Sequence, residues 1–444
     1  MPTIVDGPLS TSATTAKPAL TVNHDPRPVN IARVITRLNL GGPAVHVVLA
    51  TKYLGPLGFR TTLITGKLAP GERSADELIA QLDEPPVRIE HLERDPSFVK
   101  DVTTLLQLIR IFKKQRPDIV HTHTSKAGAL GRIAAWIAGV PIRVHTYHGL
   151  VFAEHFSGRR SRFYVELERF LARLSTRLVA ISPKQKSDLE TQFRIAAAEK
   201  IECISLGLDL EPFLAQRAPS FVLRSELGLS ANDNLVGWVG RLAPIKDPFL
   251  LVEVARRVVG AIPTCHFAIA GDGELRGELE NAVRQAGLSS NVHLIGWRTD
   301  LAEIYSDLDL VILTSKNEGT PLVLLETMAC GKTFVATEVG GIPDLTIGEC
   351  AELAGVKYFE NAALTTRSPD SLTAATLRLL GDAQLRGRMS EKAREFVSGR
   401  FSASRLAGDL AALYESLLQE SGVAVRAVAA GEVDGARVTR GRVA

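Results

Sequence analysis

Two carboxylates, one pair of cations and a group of histidines are the residues of this chain whose types and spacing suit chemistry. In "EGTPLVLLE", Glu318 and Glu326 bracket a short stretch, and Glu326 falls inside "PLVLLETMAC", where every neighbour except one threonine is apolar. A buried carboxylate is costly unless it is hydrogen-bonded, so either a ligand hydroxyl or a Lys or Arg from elsewhere in the fold must answer it. Thr320 and Pro321 read as a helix N-cap and first helical residue. The amides of Leu322 and Val323 are then free to bind an anion, with the helix dipole in their favour. Glu318 and Gly319 belong to the preceding loop. At the rise of a helix the two carboxylates stand about 10 Å apart, which suits the two ends of one elongated polar ligand better than a shared proton or metal. Carboxylates are strong acceptors for paired hydroxyls.

The second constellation is "LVGWVGRLAPIKDPF", with Arg241 at a strand exit, Lys246 in the same loop, and Asp247-Pro248 as N-cap and first helical residue. An Arg fork and a Lys point charge beside a helix start suit a diphosphate, most usefully as a phosphate leaves. Alone, such a pair is more often just two solvated cations. The third is "HTHTSKAG" with "VHTYHG", which brings His121, His123, His145 and His148 to two strand ends. His121 and His123 share a strand face. A metal site is one reading of them and hydrogen-bonded cleft histidines the other; without a carboxylate-rich motif beside them, the second is preferred and no metal is expected.

Positioning these residues requires strands that end where the loops begin. Short β-rich runs recur between helical patterns: "NIARVIT", "RTTLITG", "DIVHTHT", "IRVHTYH" and "RLVAIS" in the first half, "LVGWVGR", "CHFAIAG", "VHLIG", "DLVILTS" and "TFVAT" in the second. "DVTTLLQLIRIFKKQ" and "DPFLLVEVARRVVGAI" are helices between them. The alternation predicts an α/β fold of two Rossmann-like parallel-sheet domains facing across a cleft, with ligands at the strand C-termini. "LEPFLAQRAPSF" interrupts the pattern. The expected division is a flexible segment 1–28, a first domain 29–213, a second domain 214–402, a helix 403–420 crossing back to the first, and a flexible tail 421–444.

Composition narrows the class. The chain has 444 residues, 45% hydrophobic and 23% charged, ample for two cores. Cys203, Cys265, Cys330 and Cys350 lack metal-ligand spacing and read as reduced, buried, inert thiols. Neither a signal peptide nor a membrane span is legible, so a cytoplasmic protein is expected. The net charge of +3 is uneven: residues 1–215 hold 28 Lys and Arg against 21 Asp and Glu. Part of that excess lies in "SGRRSRFYVELERFLARLSTR", where six arginines face Glu166 and Glu168 and the apolar residues fall at helical spacing. This helix either packs on the core with a solvated arginine face or rests on anionic lipid. No nucleic-acid partner is expected.

Together these residues carry a resemblance. Glu318 to Glu326 matches the E-x7-E signature of the retaining glycosyltransferases of family 4, and Arg241 with Lys246 matches that family's Arg-x4-Lys pair. The likeness runs from about Ile31 to Leu418 and includes "NLGGPAVHV", "GDGELRGELE" and Gly296-Trp297. It implies the two-domain GT-B fold and transfer of a hexose or N-acetylhexosamine with retained configuration, without a metal or other cofactor. By that resemblance Glu326 holds the ribose of a nucleotide-diphosphate sugar, UDP-linked by family habit, and Glu318 the transferred sugar. Arg241 and Lys246 hold the diphosphate, Gly41 and Gly42 let backbone approach the reaction centre, and the base stacks near Arg298. His148 resembles the family histidine beside the sugar's hydroxyls. "HTHTSKAG" with "HTYHG" looks like bacterial transferases of capsule, exopolysaccharide or lipid-linked oligosaccharide synthesis. Their acceptors are glycans or polyprenyl-diphosphate-linked sugars, reached from the inner membrane face. The basic first half agrees with peripheral contact there.

Other motifs fail on spacing. "AGDGELRG" gives G-x-G-x3-G, one residue off the dinucleotide fingerprint, and "CGKT" would need a glycine where Glu326 stands. A nucleotide-sugar 2-epimerase of the same architecture and a non-catalytic nucleotide-sugar scaffold are the alternatives. A hydrolase built on the histidines is the third.

Overall fold

The computed structural model of the protein describes residues 28–39, 41–69, 72–150 and 159–422. The expected flexible ends lie almost wholly outside these residues. Two sheets account for the architecture. The first has strand order β3-β2-β1-β4-β5-β6-β7, every pairing parallel: β1 (Val29–Ile35), β2 (Phe59–Thr65), β3 (Val87–Arg88), β4 (Ile119–His123), β5 (Ile142–Tyr147), β6 (Arg177–Ala180) and β7 (Ile201–Cys203). The second runs β10-β9-β8-β11-β12-β15-β14-β13. Its strands are β8 (Asn234–Val239), β9 (Cys265–Ala270), β10 (Val292–Gly296), β11 (Leu310–Leu313), β12 (Phe334–Thr337), β13 (Ala351–Leu353), β14 (Val356–Tyr358) and β15 (Ala362–Thr365).

All ten strands legible in the sequence are present. The second sheet is not wholly parallel: β14 pairs antiparallel with β13 and β15. The two-residue turn Ala354-Gly355 joins β13 to β14 with φ of 52° and 72°, the left-handed pair that matches the twist of a tight hairpin. Strand order reverses at β1/β4 and at β8/β11, so each sheet has a switch point where loops diverge and leave a crevice at the strand C-termini.

Helix Ala403–Ser421 follows the second domain but completes the core of the first. Leu406, Leu410, Tyr414 and Leu417, spaced along one helical face, pack with Ile31, Ala50 and Leu54. The chain is pinned where it crosses back, with reciprocal backbone bonds of 2.8 Å between Leu208 and the Phe401 to Ala403 segment.

Local chemistry departs from expectation at four places. Asp247 precedes helix Pro248–Ala261 but does not cap it: it has φ 49°, and its carboxylate pairs with Arg367 at 2.5 Å. Helix Leu322–Ala329 starts one residue later than expected, with Pro321 as its cap, because Pro321 has ψ 116° and is therefore still extended. In helix Arg159–Leu174, Glu168 does not face the arginine row but is buried, accepting from Arg132 and Tyr147 at 2.9 Å each. Phe163 and Phe170 of the same helix are 64% and 50% exposed, which core packing of its apolar residues does not account for. Of the thiols, only Cys265 and Cys330 are buried, and burial pushes both up to about 12; Cys203 and Cys350 are exposed.

Candidate active site

The site forms where loops from the two sheets meet. A helix that begins directly after a strand places its first turn over that strand's C-terminal end, so helix Gly42–Leu54 starts above β1 and helix Leu322–Ala329 above β11. These two starts touch: a Cβ added to Gly42 would lie 3.8 Å from the Leu322 side chain, whereas one on Gly41 would meet nothing within 4 Å. Beside them, Gly319 approaches the end of β5 so closely that a Cβ would come within 3.0 Å of the His148 carbonyl oxygen. Gly41, Gly42, His148, Gly319 and Leu322 therefore share one corner of the cleft.

Lys246 and Glu318 come together as well. Lys246 Nζ lies 2.5 Å from Glu318 Oε1, which also accepts from Ser315 Oγ at 2.5 Å. The two residues that were given separate ligands at the level of sequence are an ion pair at the floor of the loop. Anything that draws Lys246 onto a phosphate frees a carboxylate oxygen at the same moment. Arg241 is exposed on the loop leaving β8 and has no ion pair among the described residues. Thr320 and Pro321 are buried, and Val323 packs into the core, so the side chains of these three are held inside the protein.

Glu326 is answered by no cation among the described residues. Tyr305 donates its hydroxyl to Oε2 at 2.8 Å, and burial raises the carboxyl's pKa against the pull of that bond. One hydroxyl satisfies one lone pair of a group that offers about four. Arg298 differs: its edge is spent on Asp300 (2.8 and 2.6 Å) and Glu226 (2.8 Å to each oxygen), which leaves only its flat face for a base.

The histidines form one body, buried except for the half-buried His148. His121 bonds Tyr414 Oη at 2.5 Å and Thr146 Oγ1 at 2.7 Å, and His145 bonds Thr122. His123 lies between Arg33 (Nη1 to Nε2, 3.2 Å) and His148 (Nδ1 to Nε2, 3.1 Å). His46, on helix Gly42–Leu54, stands edge-on to His148 with ring centroids 5.0 Å apart, and neither of its nitrogens has a partner among the described residues. Burial lowers the pKa of all five rings, and for His148 burial together with Arg33 pushes it down to about 3. The imidazoles are therefore neutral at pH 7. His148 also borders a cavity of about 230 Å³ lined by Pro43, Thr124, Ser125, Tyr147 and Glu168.

His46, His123 and His148 each offer a ring nitrogen within 4.8 Å of the others. The donor set does not fit a cation, however. A guanidinium only donates, so His123 Nε2 must accept from Arg33 and Nδ1 must carry the proton. A metal-bound imidazole ordinarily donates its second N–H to an acceptor, and here a cation occupies that place.

Sequence reasoning did not find Arg33, His46, Tyr305, Tyr414 or the Gly340-Gly341 loop. The last packs under the "EGTP" turn, with Gly341 N donating to Glu318 O at 3.0 Å, and at Gly340, with φ 55°, a Cβ would collide with the Glu318 carbonyl at 1.9 Å. A diglycine two residues after the strand run "TFVAT" was the available signal.

Comparison with known proteins identifies the family. Residues 40–212 match the profile of Glycosyltransferase Family 4 and residues 221–396 that of glycosyl transferases group 1. The UDP-Gal:α-D-GlcNAc-diphosphoundecaprenol α-1,3-galactosyltransferase of Escherichia coli is 33% identical over 72% of this chain and 81% of its own length. The capsular polysaccharide biosynthesis glycosyltransferase CapM of Staphylococcus aureus is 26% identical over 77% and 88%. Among solved structures, Anabaena Alr3699/HepE in complex with UDP and glucose superposes with a TM-score of 0.71 over 87% of this chain and all of that one, at 24% identity. The chain thus belongs to the group 1 glycosyltransferases, with a family 4 first domain and the GT-B fold.

Proposed function

We propose that the protein transfers a hexose from a UDP-linked donor to a polyprenyl-diphosphate-linked sugar, with retention of anomeric configuration and without a metal. The observation that carries this reading is the half-answered Glu326 together with the Lys246–Glu318 pair: one acceptor held ready in apolar surroundings, and one cation at the loop that an anion would enter. The ribose hydroxyls complete Glu326. Lys246, Arg241 and the amides of Leu322 and Val323 take the diphosphate, and Glu318 turns its freed oxygen to the sugar. His148, neutral, hydrogen-bonds a hydroxyl of the transferred sugar. As the C–O bond to the diphosphate breaks, the departing phosphate oxygen takes the acceptor's proton on the same face. The acceptor oxygen then bonds the anomeric carbon, so no protein nucleophile is needed. The cationic loop supplies the charge stabilisation that a divalent ion would otherwise give.

The galactosyltransferase relative supports UDP-galactose and a GlcNAc-diphospho-lipid as the pair to try first. Binding is read by a thermal-shift series of UDP, GDP and ADP sugars. Stabilisation by the UDP class alone, lost in Glu326→Ala, is the expected pattern; equal stabilisation of the variant would remove the ribose assignment.

A lipid-linked acceptor also calls for a membrane-facing side. Phe98, Val99, Val102 and Leu106 form an exposed stripe on helix Phe98–Gln115 that continues into Arg110 and Lys113. Phe163 and Phe170 of helix Arg159–Leu174 are exposed as well, and exposed apolar residues with basic neighbours suit anionic lipid. No helix among the described residues is long and apolar enough to cross a membrane. Sedimentation with anionic but not neutral vesicles, weakened in Val102→Asp/Phe163→Asp, is expected; equal recovery with both vesicles would reject the electrostatic part.

A further inference from the structure

Arg33 and His123 lie beneath the reaction centre, and the chemistry of their hydrogen bonds fixes more than their own positions. Arg33 is fully buried in β1 and meets no carboxylate among the described residues. Its Nη2 donates to Tyr414 Oη at 3.1 Å and its Nη1 to His123 Nε2 at 3.2 Å. Because that nitrogen of His123 must accept, the single proton of the neutral ring sits on Nδ1, which is 3.1 Å from His148 Nε2. His148 Nε2 in turn must accept. Its own proton is left on Nδ1, which meets no partner among the described residues, and His148 lines the first-domain cavity described above.

We propose that Arg33 and His123 are positioning residues that hold His148 as the Nδ1–H tautomer, so that His148 offers the sugar a hydrogen-bond donor and never a lone pair. Tyr414 steadies the start of this chain. It accepts from Arg33 and gives its own proton to His121 Nδ1, whose Nε2–H then goes to Thr146 Oγ1. Tyr414 belongs to the helix that crosses back from the second domain, so the guanidinium that sets the tautomer is held by the segment joining the two halves. His46 does not compete, since neither of its nitrogens bonds to anything among the described residues. A donor at this position selects a sugar oxygen as acceptor and so fixes how the sugar is held; a lone pair would select a hydroxyl proton. The role of the tautomer in transfer rests on the reading of His148 as a sugar contact; the tautomer itself does not.

The two are separated by measuring them independently. Histidine-selective ¹⁵N labelling of the substrate-free full chain, with His148 assigned by its loss in His148→Gln, reads which ring nitrogen carries the proton. The expected spectrum has His148 protonated at Nδ1 in the wild type, and Arg33→Met lets both nitrogens average. His123→Asn, whose side-chain amide supplies a donor at the Nδ1 position, should keep the wild-type tautomer, whereas His123→Phe should not. In transfer assays His123→Phe and Arg33→Met should lose about tenfold in kcat, the worth of one hydrogen bond, with donor KM little changed and His123→Asn largely rescued. A wild-type His148 protonated at Nε2, or one unmoved by His123→Phe, overturns the relay. Should Arg33→Met fail to fold, the Asn and Phe variants at His123 still decide it. Unchanged kcat in His148→Ala would end the sugar-contact reading and the positioning role with it.

Discussion

At the scale of residues, the site works by leaving particular groups partly answered. Glu326 has one hydroxyl from Tyr305 and room for more. Glu326→Gln keeps the size but loses acceptor strength, and should raise the Kd for UDP by about tenfold. Tyr305→Phe should cost less, because it removes a bond internal to the protein and not one to the ligand. Lys246 and Glu318 are coupled by their contact, so Lys246→Met and Glu318→Gln should not add: kcat falls by about 10² in each single variant, and the double variant should be little worse than the poorer single one. Strict additivity in a double-mutant cycle would contradict the pairing. The carboxylates were legible because a charge in an apolar run needs a reason. Arg33 and Tyr414 were not, since they lie 381 positions apart and an Arg inside "NIARVIT" reads as an outward-facing strand residue.

Elements show how a short loop can be held rigidly enough to matter. The "EGTP" turn is braced from below by the Gly340-Gly341 backbone and from the front by the His148 carbonyl. Gly319→Ala should therefore leave the protein folded but displace the turn, lowering kcat more than Tm. Gly408 provides a contrast: it lies inside helix Ala403–Ser421 with nothing within 4 Å of an added Cβ. Gly408→Ala should stabilise the protein by about 0.5–1 kcal/mol through helix propensity, read as a raised Tm with unchanged activity; a lowered Tm would show that the helix face is covered. Strand runs were readable because both faces of a parallel sheet are buried. The caps were not, because Asp247 found a tertiary partner in Arg367 and Pro321 kept an extended ψ, and neither choice is encoded nearby.

For the whole molecule, the two sheets and the helix that returns to the first make one cleft, and the neutral histidines under it tie function to pH. The pKa values of His46, His121, His123, His145 and His148 lie below the ordinary 6.5 in the folded state. The unfolded chain therefore binds protons that the folded one does not. Their contribution is complete above about pH 6.5 and is lost as pH falls toward the folded values, at up to about 1.4 kcal/mol per histidine per pH unit. Urea midpoints should drop steeply from pH 6.5 to 5, and His46→Phe should flatten that slope; a flat profile would mean that the rings are not held neutral. The domain alternation was legible from periodicity alone, and so were four of the five histidines, at the ends of β4 and β5; His46 was not, since it comes from helix Gly42–Leu54. The central claim is that this cleft transfers a sugar with retention using its own cations. The most direct test is proton NMR of the glycosidic linkage formed from a UDP-α-hexose and a GlcNAc-diphospho-lipid in EDTA. An α-linked product is predicted; a β-linked product, or transfer abolished by EDTA and restored by a divalent ion, would contradict it.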